Sequence, residues 1–261
     1  MVLAIDVGNS TTTIGLFDES GVLHLRSDLT TSQRSTRDQC AVSLRGVFDL
    51  YGADLRAVTG CIISSVVPPV TAAICGAVEL LTGREPMLMG PGVKTGLNIK
   101  SDIHTQMGTD IVAYSVGAIA QYPGPIIVVD LGTAVTMSYL RENVYEGCVI
   151  MPGIRIALDA LSDRAAALPR ISIEPPEDFL GHNTVGAMRS GVVYGNASMI
   201  DGMIVRMEEA AGPAAAVVGT GNAAPDVLKY CRREIHYDAD LLLNGLYLIY
   251  KKNTVGKQRK G

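Results

Sequence analysis

The sequence lacks the features that mark secreted, membrane-spanning and metal-binding proteins. Its five cysteines are an odd number, and no two of them stand at a metal-ligand spacing, so we expect reduced core residues in a cytoplasmic protein. No apolar run reaches about 18 residues, and no signal segment precedes the apolar run that begins at Val2, so we expect no membrane span.

The chain also lacks an excess of positive charge and a residue pattern typical of hydrolases. Its net charge of −4 gives no electrostatic reason to expect binding to nucleic acid or to a membrane surface. The four histidines are scattered, and neither a Ser/His/Asp order nor a Cys/His cluster points to hydrolysis or zinc. His104 lies in an irregular stretch where it could supply a polar contact, although a solvated loop histidine is the commoner case.

What the sequence does contain is a polar turn between two β-rich segments near its start. Residues 2–5 are apolar, and Asp6 follows them directly. Gly8 and Asn9 can take positive φ, and hydroxyl side chains fill residues 10–13. Such a turn can aim backbone N–H groups at a phosphate, and an acidic residue at a strand end can hold a hydrated Mg²⁺. The alternative is an ordinary polar hairpin in which Asp6 satisfies turn amides.

The same pattern recurs in the second half of the chain, at residues 126–140. Asp130, Gly132 and Thr136 stand at one constant offset from their counterparts in the first copy, which are Asp6, Gly8 and Thr12. An internal repeat indicates two similar halves that face each other across a cleft, and two Asp-x-Gly turns meeting there favour a nucleotide–metal site. The arrangement resembles the superfamily of acetate kinase, sugar kinases, Hsp70 and actin.

We therefore predict an α/β fold with two actin-like (ribonuclease H-like) halves, in which mixed sheets are flanked by helices and the active site lies in the cleft. The expected boundaries are an N-terminal phosphate-binding half at 1–113, a C-terminal half at 114–251, and a basic tail at 252–261. Thr36, with Gln39 three residues on, predicts a helix that starts with a capping box. Further helices are predicted over 70–81, 109–121, 154–167, 223–231 and 238–250.

Two stretches are expected to carry function. Residues 90–108 are the least regular part of the chain, and long irregular connections in compact domains are often functional. Residues 184–211 read as one long helix despite four glycines on it, each of which costs about 1 kcal/mol of helix stability. These glycines could form a dimer interface or a substrate face, or they could pack closely on the protein's own sheet. They are Gly186, Gly191, Gly195 and Gly202.

Several short motifs, taken in order, resemble one family over about residues 2–250: the type III pantothenate kinases. The strong matches are Asp6-x-Gly8-Asn9-Ser10, Gly108-Thr109-Asp110, Asp130-x-Gly132-Thr133-Ala134 and Gly147-x-x-x-x-Pro152-Gly153. The resemblance implies ATP-dependent phosphorylation of pantothenate to 4′-phosphopantothenate, the first step toward coenzyme A. It also implies a homodimer and a monovalent cation, K⁺ or NH₄⁺.

The resemblance also assigns roles on the nucleotide side. It implies that Asp6 holds Mg²⁺ and that the turn after it holds the triphosphate, through Gly8, Asn9, Ser10, Thr11, Thr12 and Thr13. Thr133 would add a hydroxyl and a backbone donor, and Thr220-Gly221 would lie beside the adenosine. Asp130 corresponds to the ligand of the monovalent cation, and its alternative role is a structural mirror of Asp6.

On the substrate side, the resemblance makes Asp110 the general base that takes the proton of the substrate hydroxyl. The alternative is that Asp110 only favours a helix N-terminus through the dipole. The other substrate-contacting positions implied are Gly108, Thr109, Ile111, Ser101 and Thr184. Thr184 would contact pantothenate near the dimer interface, or else serve as a plain N-cap of the long helix.

This chain departs from the family pattern at several positions. The family has Arg where Ile111 stands and Tyr where Ser101 stands, and an isoleucine cannot clamp a carboxylate or phosphate. Glu146 and Asn222 each replace a glycine of the family pattern. The alternative function is therefore a catalytically impaired nucleotide-binding homologue with another substrate or a regulatory role.

Overall fold

The computed structural model of the chain describes residues 1–100 and 107–254. The described residues divide into two compact units. The first contains Met1–Leu97 with the described parts of 102–120 and 240–261, and the second contains Gln121–Ala239 with the described part of 98–101. No helix among the described residues has both the length and the apolar character that crossing a membrane requires.

The first unit is built on a five-stranded mixed sheet in the order β3-β2-β1-β4-β5. Its strands are β1 (Val2–Val7), β2 (Thr11–Phe17), β3 (Leu23–Thr30), β4 (Gly60–Ser65) and β5 (Met87–Leu88). Its helices are α1 (Arg37–Leu50), α2 (Pro68–Thr82), α3 (Thr109–Gln121) and α7 (Leu241–Thr254). Strand β1 pairs antiparallel with β2 and parallel with β4.

Alternate residues of β1 enter two separate cores, which is why this strand is apolar throughout. Leu3 and Ile5 pack in a cluster with the inner faces of α1 and α2. Val2 and Ala4 point to the other face and pack with residues of α3 and α7, such as Ala113. The first strand is therefore covered by helices on both sides, as its continuous apolar run predicts.

The second unit is built on a six-stranded sheet in the order β11-β10-β7-β8-β9-β6. Its strands are β6 (Asn98–Ile99), β7 (Ile126–Leu131), β8 (Ala134–Arg141), β9 (Val144–Pro152), β10 (Ala216–Thr220) and β11 (His236–Tyr237). Its helices are α4 (Ile154–Arg164), α5 (Thr184–Ala211) and the short α6 (Ala224–Val227). All three helices contribute to one apolar cluster with β7, β8 and β10.

The two hairpins that contain the Asp-x-Gly turns repeat the same topology. Each first strand pairs antiparallel with the next strand and parallel with a strand from a crossover, β1 with β4 and β7 with β10. The second turn is one residue shorter, because Asp6 lies opposite Thr13 whereas Asp130 lies opposite Thr136. Thr136 is thus the register equivalent of Thr13, although its sequence offset matches Thr12.

The compact units do not follow the predicted boundaries at residues 113 and 251. Helix α3 continues to Gln121, and most of it clusters with the first unit. Helix α7 also returns to the first unit, because Leu243 and Leu246 pack against the face of β1 that carries Val2. The basic tail from residue 255 onward lies outside the described residues.

Candidate active site

Asp6 lies at the carboxyl end of β1, between two neighbouring strands. It is 9 % exposed, its register partner on β2 is Thr13, and its register partner on β4 is Ser64. The turn after it closes when the Gly8 amide donates a 3.0 Å hydrogen bond to the Thr11 carbonyl. A buried carboxylate at a strand end beside a tight turn fits one ligand of a hydrated Mg²⁺.

Two of the hydroxyl side chains in this turn contact the neighbouring strand segment. Thr12 Oγ1 lies 2.8 Å from Thr31 Oγ1, and Thr13 Oγ1 donates to Asp28 Oδ1 at 2.7 Å. These two side chains therefore tie β2 to the segment at the end of β3. Asn9 and Ser10, at the tip of the turn, are exposed. The tip of the turn is therefore accessible to solvent.

Asp110 lies in the first turn of α3, and its carboxylate folds back over the start of the helix. Asp110 Oδ1 accepts a 2.8 Å hydrogen bond from the Ile111 amide. A Cβ added to Gly108 would overlap Asp110 Oδ1, so residue 108 must be glycine for the carboxylate to take this position. The structure therefore gives the Gly-Thr-Asp motif a steric reason.

Burial raises the pKa of the Asp110 carboxyl, and hydrogen bonds from the backbone N–H groups of Ile111 and of Asp110 itself offset part of that rise. A carboxylate with a raised pKa is a better proton acceptor than an exposed one. The contact with the helix amides that favours a helix start also occurs, so the two interpretations of Asp110 do not exclude each other.

Ser64 and Ser65 were not predicted as site residues, yet both contact Thr109, the residue before Asp110. Thr109 Oγ1 lies 3.0 Å from Ser64 Oγ and accepts a 3.2 Å hydrogen bond from the Ser65 amide. Two serines at the end of an otherwise apolar strand, Ile62-Ile63-Ser64-Ser65, are the signal that could have identified them.

Asp130 ends the strand β7 in the second unit, where Thr220 lies opposite it on β10. Gly221 follows with a φ of +93°, and a Cβ there would stand 2.6 Å from Asp130 Oδ1. Only glycine therefore fits at residue 221, because of its backbone conformation and because a Cβ would also stand 2.6 Å from the carbonyl carbon of Leu131. Carboxylate oxygen is a ligand type that hard cations prefer.

The turn after Asp130 is held by close backbone contacts. The Gly132 amide donates a 3.1 Å hydrogen bond to the Ala134 carbonyl, as Gly8 does to Thr11 in the first turn. A Cβ at Gly153 would overlap the Thr133 carbonyl, so the Pro-Gly motif lets the chain pass against this turn. Thr133 itself is exposed at the tip, where its hydroxyl is accessible.

Thr184 is the first residue of α5, and the N-cap is its neighbour Asn183, whose Oδ1 accepts the Gly186 amide at 2.8 Å. The alternative role of Thr184 as a plain N-cap is therefore wrong. Thr184 instead lines an open groove of about 610 Å³ between α4 and α5, together with Leu158, Met188 and other mostly apolar residues.

The glycines of α5 do not pack on the sheet of their own unit. Gly191, Gly195 and Gly202 are exposed, and a Cβ added to any of them would meet no atom within 4 Å. They share one helix face at a spacing of four and seven residues. Close packing against the protein's own sheet is therefore wrong for these three positions.

Two departures from the family pattern, Glu146 and Asn222, lie in the second unit. Glu146 accepts a 3.0 Å hydrogen bond from Arg141 Nε, and Lys100 Nζ lies 3.9 Å from it, so this residue joins the strands of its own sheet. Asn222 follows Gly221 and is exposed. Ser101, another departure, lies outside the described residues.

Proteins with different functions can share such a fold, and a match to a protein family shows to which of them this chain is related. Residues 2–206 match the family model described as type III pantothenate kinase. The chain belongs to the type III pantothenate kinase family. A type III pantothenate kinase of Halalkalibacterium halodurans is 42 % identical over 256 residues, which is 97 % of this chain and all of that protein. One from Exiguobacterium is 39 % identical over 254 residues, which is 97 % of this chain and 99 % of that protein.

Solved structures support the fold at lower identity. The activator of 2-hydroxyisocaproyl-CoA dehydratase from Clostridium difficile, solved with bound ADPNP, has a TM-score of 0.61 at 10 % identity and covers 100 % of this chain and 98 % of its own. A Baf family transcriptional activator from Campylobacter jejuni has a TM-score of 0.59 at 18 % identity, with coverage of 96 % and 98 %. The fold of this kinase is therefore the actin-like α/β fold predicted from its repeat.

Proposed function

We propose that this kinase transfers the γ-phosphoryl group of ATP to the primary hydroxyl of pantothenate, which yields 4′-phosphopantothenate and ADP. The observation that carries the proposal is the partly buried Asp110 carboxylate, held over Gly108 at the start of α3, in a chain that belongs to this family. In this reaction the hydroxyl proton passes to Asp110 as its oxygen bonds to phosphorus, and the bond from phosphorus to the ADP oxygen breaks.

Phosphoryl transfer needs positioning and charge neutralisation more than covalent chemistry. We assign Mg²⁺ to Asp6, and the triphosphate to the turn at residues 8–13. Among the described residues, no group of three or more Asp, Glu, His or Cys side chains could hold a metal ion. With ATP bound, Asp6 would supply one carboxylate ligand, and the ATP phosphates and water would supply the others, which is the usual arrangement for Mg²⁺.

We assign the monovalent cation, K⁺ or NH₄⁺, to Asp130, and the adenosine to Thr220 and Gly221, with Thr133 as an added donor. Residue 221 can only be glycine, and this supports the assignment, because the backbone of Gly221 then lies close to the Asp130 carboxylate at the end of β7. When bound, the cation would supply positive charge at this strand end.

We also propose a homodimer whose interface includes α5. The exposed glycine face of α5, the groove beside it, and the exposed side chains of Phe179 and Leu180 support this proposal. Exposed apolar surface of this kind commonly marks a protein–protein interface. Thr184 would then contact pantothenate near that interface.

The free state of all five cysteines supports a reducing, cytoplasmic setting.

The turnover assay for this proposal measures ADP release with pantothenate in K⁺, NH₄⁺ and Na⁺ buffers. We expect saturable ADP release that requires pantothenate and either K⁺ or NH₄⁺, and none with a pantothenate analogue that lacks the primary hydroxyl. ATP binding without pantothenate-dependent ADP release would overturn the proposal. That result would favour the second candidate function, a catalytically impaired homologue with a regulatory role. Ile111 is the reason for this alternative, because it stands where the family has arginine.

A further inference from the structure

The hydroxyl of Thr109 connects the helix that carries Asp110 to the strand beside Asp6. Thr109 Oγ1 lies 3.0 Å from the oxygen of Ser64, which is fully buried, and it accepts the Ser65 amide at 3.2 Å. It also donates toward the Ser65 carbonyl at 3.4 Å. A threonine at the first position of a helix more often hydrogen-bonds within its own helix end. Here it bonds to a strand instead.

The serines at the other end of these hydrogen bonds are themselves fixed. Ser64 is the register partner of Asp6 across the parallel pair β1 and β4. Ser65 Oγ accepts hydrogen bonds from Thr71 Oγ1 at 2.8 Å and from the Val67 amide at 3.2 Å, which ties it to the start of α2. A network that is anchored to two elements can hold a third element in one position.

We infer that Thr109 is a positioning residue, whose hydroxyl, through Ser64 and Ser65, fixes the Asp110 carboxylate relative to Asp6. The inference rests on the proposed function, since it gives Asp110 the role of base. It predicts that losing the hydroxyl lowers kcat more than it raises KM, because binding surfaces stay intact while the geometry for transfer changes.

The decisive variants differ from the wild type by a few atoms. Thr109→Val replaces the hydroxyl with a methyl of similar size, and Thr109→Ser keeps the hydroxyl. We expect kcat to fall roughly 10-fold in Thr109→Val, the scale of one hydrogen bond, with KM for pantothenate and ATP within about 2-fold of the wild type. Thr109→Ser should stay close to the wild type. Thr82→Val, which removes a hydroxyl bonded to the Val78 carbonyl at the end of α2, should leave kcat unchanged.

Ser64→Ala removes the other hydroxyl of the hydrogen bond between Ser64 and Thr109. It serves as the test variant if Thr109→Val fails to fold. The double variant should lose no more kcat than the worse single variant, because both changes break one contact. Wild-type kcat in Thr109→Val, or an equal loss in Thr109→Ser, would overturn the inference. Asp110→Asn separates the two claims: if it remains active, the proposed base is wrong, whereas an inactive Asp110→Asn beside an unaffected Thr109→Val refutes only the positioning role.

Discussion

The carboxylate of Asp110 occupies the space where a side chain at residue 108 would begin. A Cβ on Gly108 would overlap Asp110 Oδ1, and it would also stand 3.6 Å from Val66 Cγ1 on the segment after β4. The carboxylate is held there by the Ile111 amide. The absence of a side chain at Gly108 therefore leaves the space in which the carboxylate of the proposed base lies.

Gly108→Ala should displace that carboxylate without removing any charged group. We expect kcat to fall about 10- to 100-fold, because a displacement near 1 Å at a catalytic group can have an effect of this size. Steady-state kinetics with pantothenate measure it. Gly46→Ala is the matched control, since its Cβ meets no atom within 4 Å on the exposed face of α1. Unchanged kcat in Gly108→Ala would show that the carboxylate can move at no cost.

The raised pKa of Asp110 predicts a gain in stability when its charge is removed. Because the folded state holds the Asp110 proton more tightly than the unfolded chain does, the stability of the wild type rises as pH falls from the folded pKa toward the unfolded value of about 3.9. Asp110→Asn should therefore melt at a higher temperature than the wild type at neutral pH, and the difference should narrow as pH falls through that window.

Thermal melts across a pH series test this prediction. Asp49→Asn, which changes an exposed carboxylate on α1, should show no comparable gain. A lower melting temperature for Asp110→Asn at neutral pH would mean that the carboxylate stabilises the fold, as a helix-start residue does, rather than being desolvated at a cost.

Mg²⁺–ATP should raise the melting temperature of the wild type, because a ligand that binds only the folded state stabilises it. Asp6→Asn should reduce that shift, since the amide cannot ligate a hard cation as a carboxylate does. The ligand-induced shift is compared at several ATP concentrations, with Asp49→Asn as the control. Equal shifts in Asp6→Asn and the wild type would remove Asp6 from the nucleotide site.

The homodimer proposal predicts a dimer mass by light scattering at micromolar concentration. Gly191→Arg places a long cationic side chain at the exposed, groove-lining face of α5 and should yield a folded monomer. Gly46→Arg adds the same side chain to the exposed face of α1 and should leave the dimer intact. A wild type that is monomeric, or a Gly191→Arg that is still dimeric, would refute the α5 interface.

Local chemistry made much of this fold predictable. Thr36 and Gln39 form the predicted capping box, in which each side chain accepts the backbone amide of the other. The repeated Asp-x-Gly turns predicted the two hairpins, because strand, glycine and hydroxyl residues recur in order. In each case a short segment contains all the atoms that determine its conformation.

Features set by distant contacts were harder to predict. Strands β6 and β11 have two residues each and exist only through pairing with β9 and β10, so their own sequences carry little signal. The helix predicted over 223–231 is shorter, as α6 ends at Val227 and Leu228–Tyr230 continues it as a 3₁₀ turn. The return of α7 to the first unit depends on packing across most of the chain length.

The same distinction holds at the candidate site. The motif glycines could be recognised from the sequence, but the reason for Gly108 appears only when the Asp110 carboxylate is placed over it. The link from Thr109 to Ser64 joins residues that are 45 positions apart, and no local pattern predicts it.

Formation of phosphopantothenate by Asp110→Asn, compared with the wild type by mass spectrometry, tests the central claim most directly. ATP affinity is measured on the same samples by calorimetry. We expect the variant to bind Mg²⁺–ATP as the wild type does while its kcat falls at least about 100-fold, the lower range for loss of a general base. Product formation at the wild-type rate by a variant that binds ATP normally would contradict it.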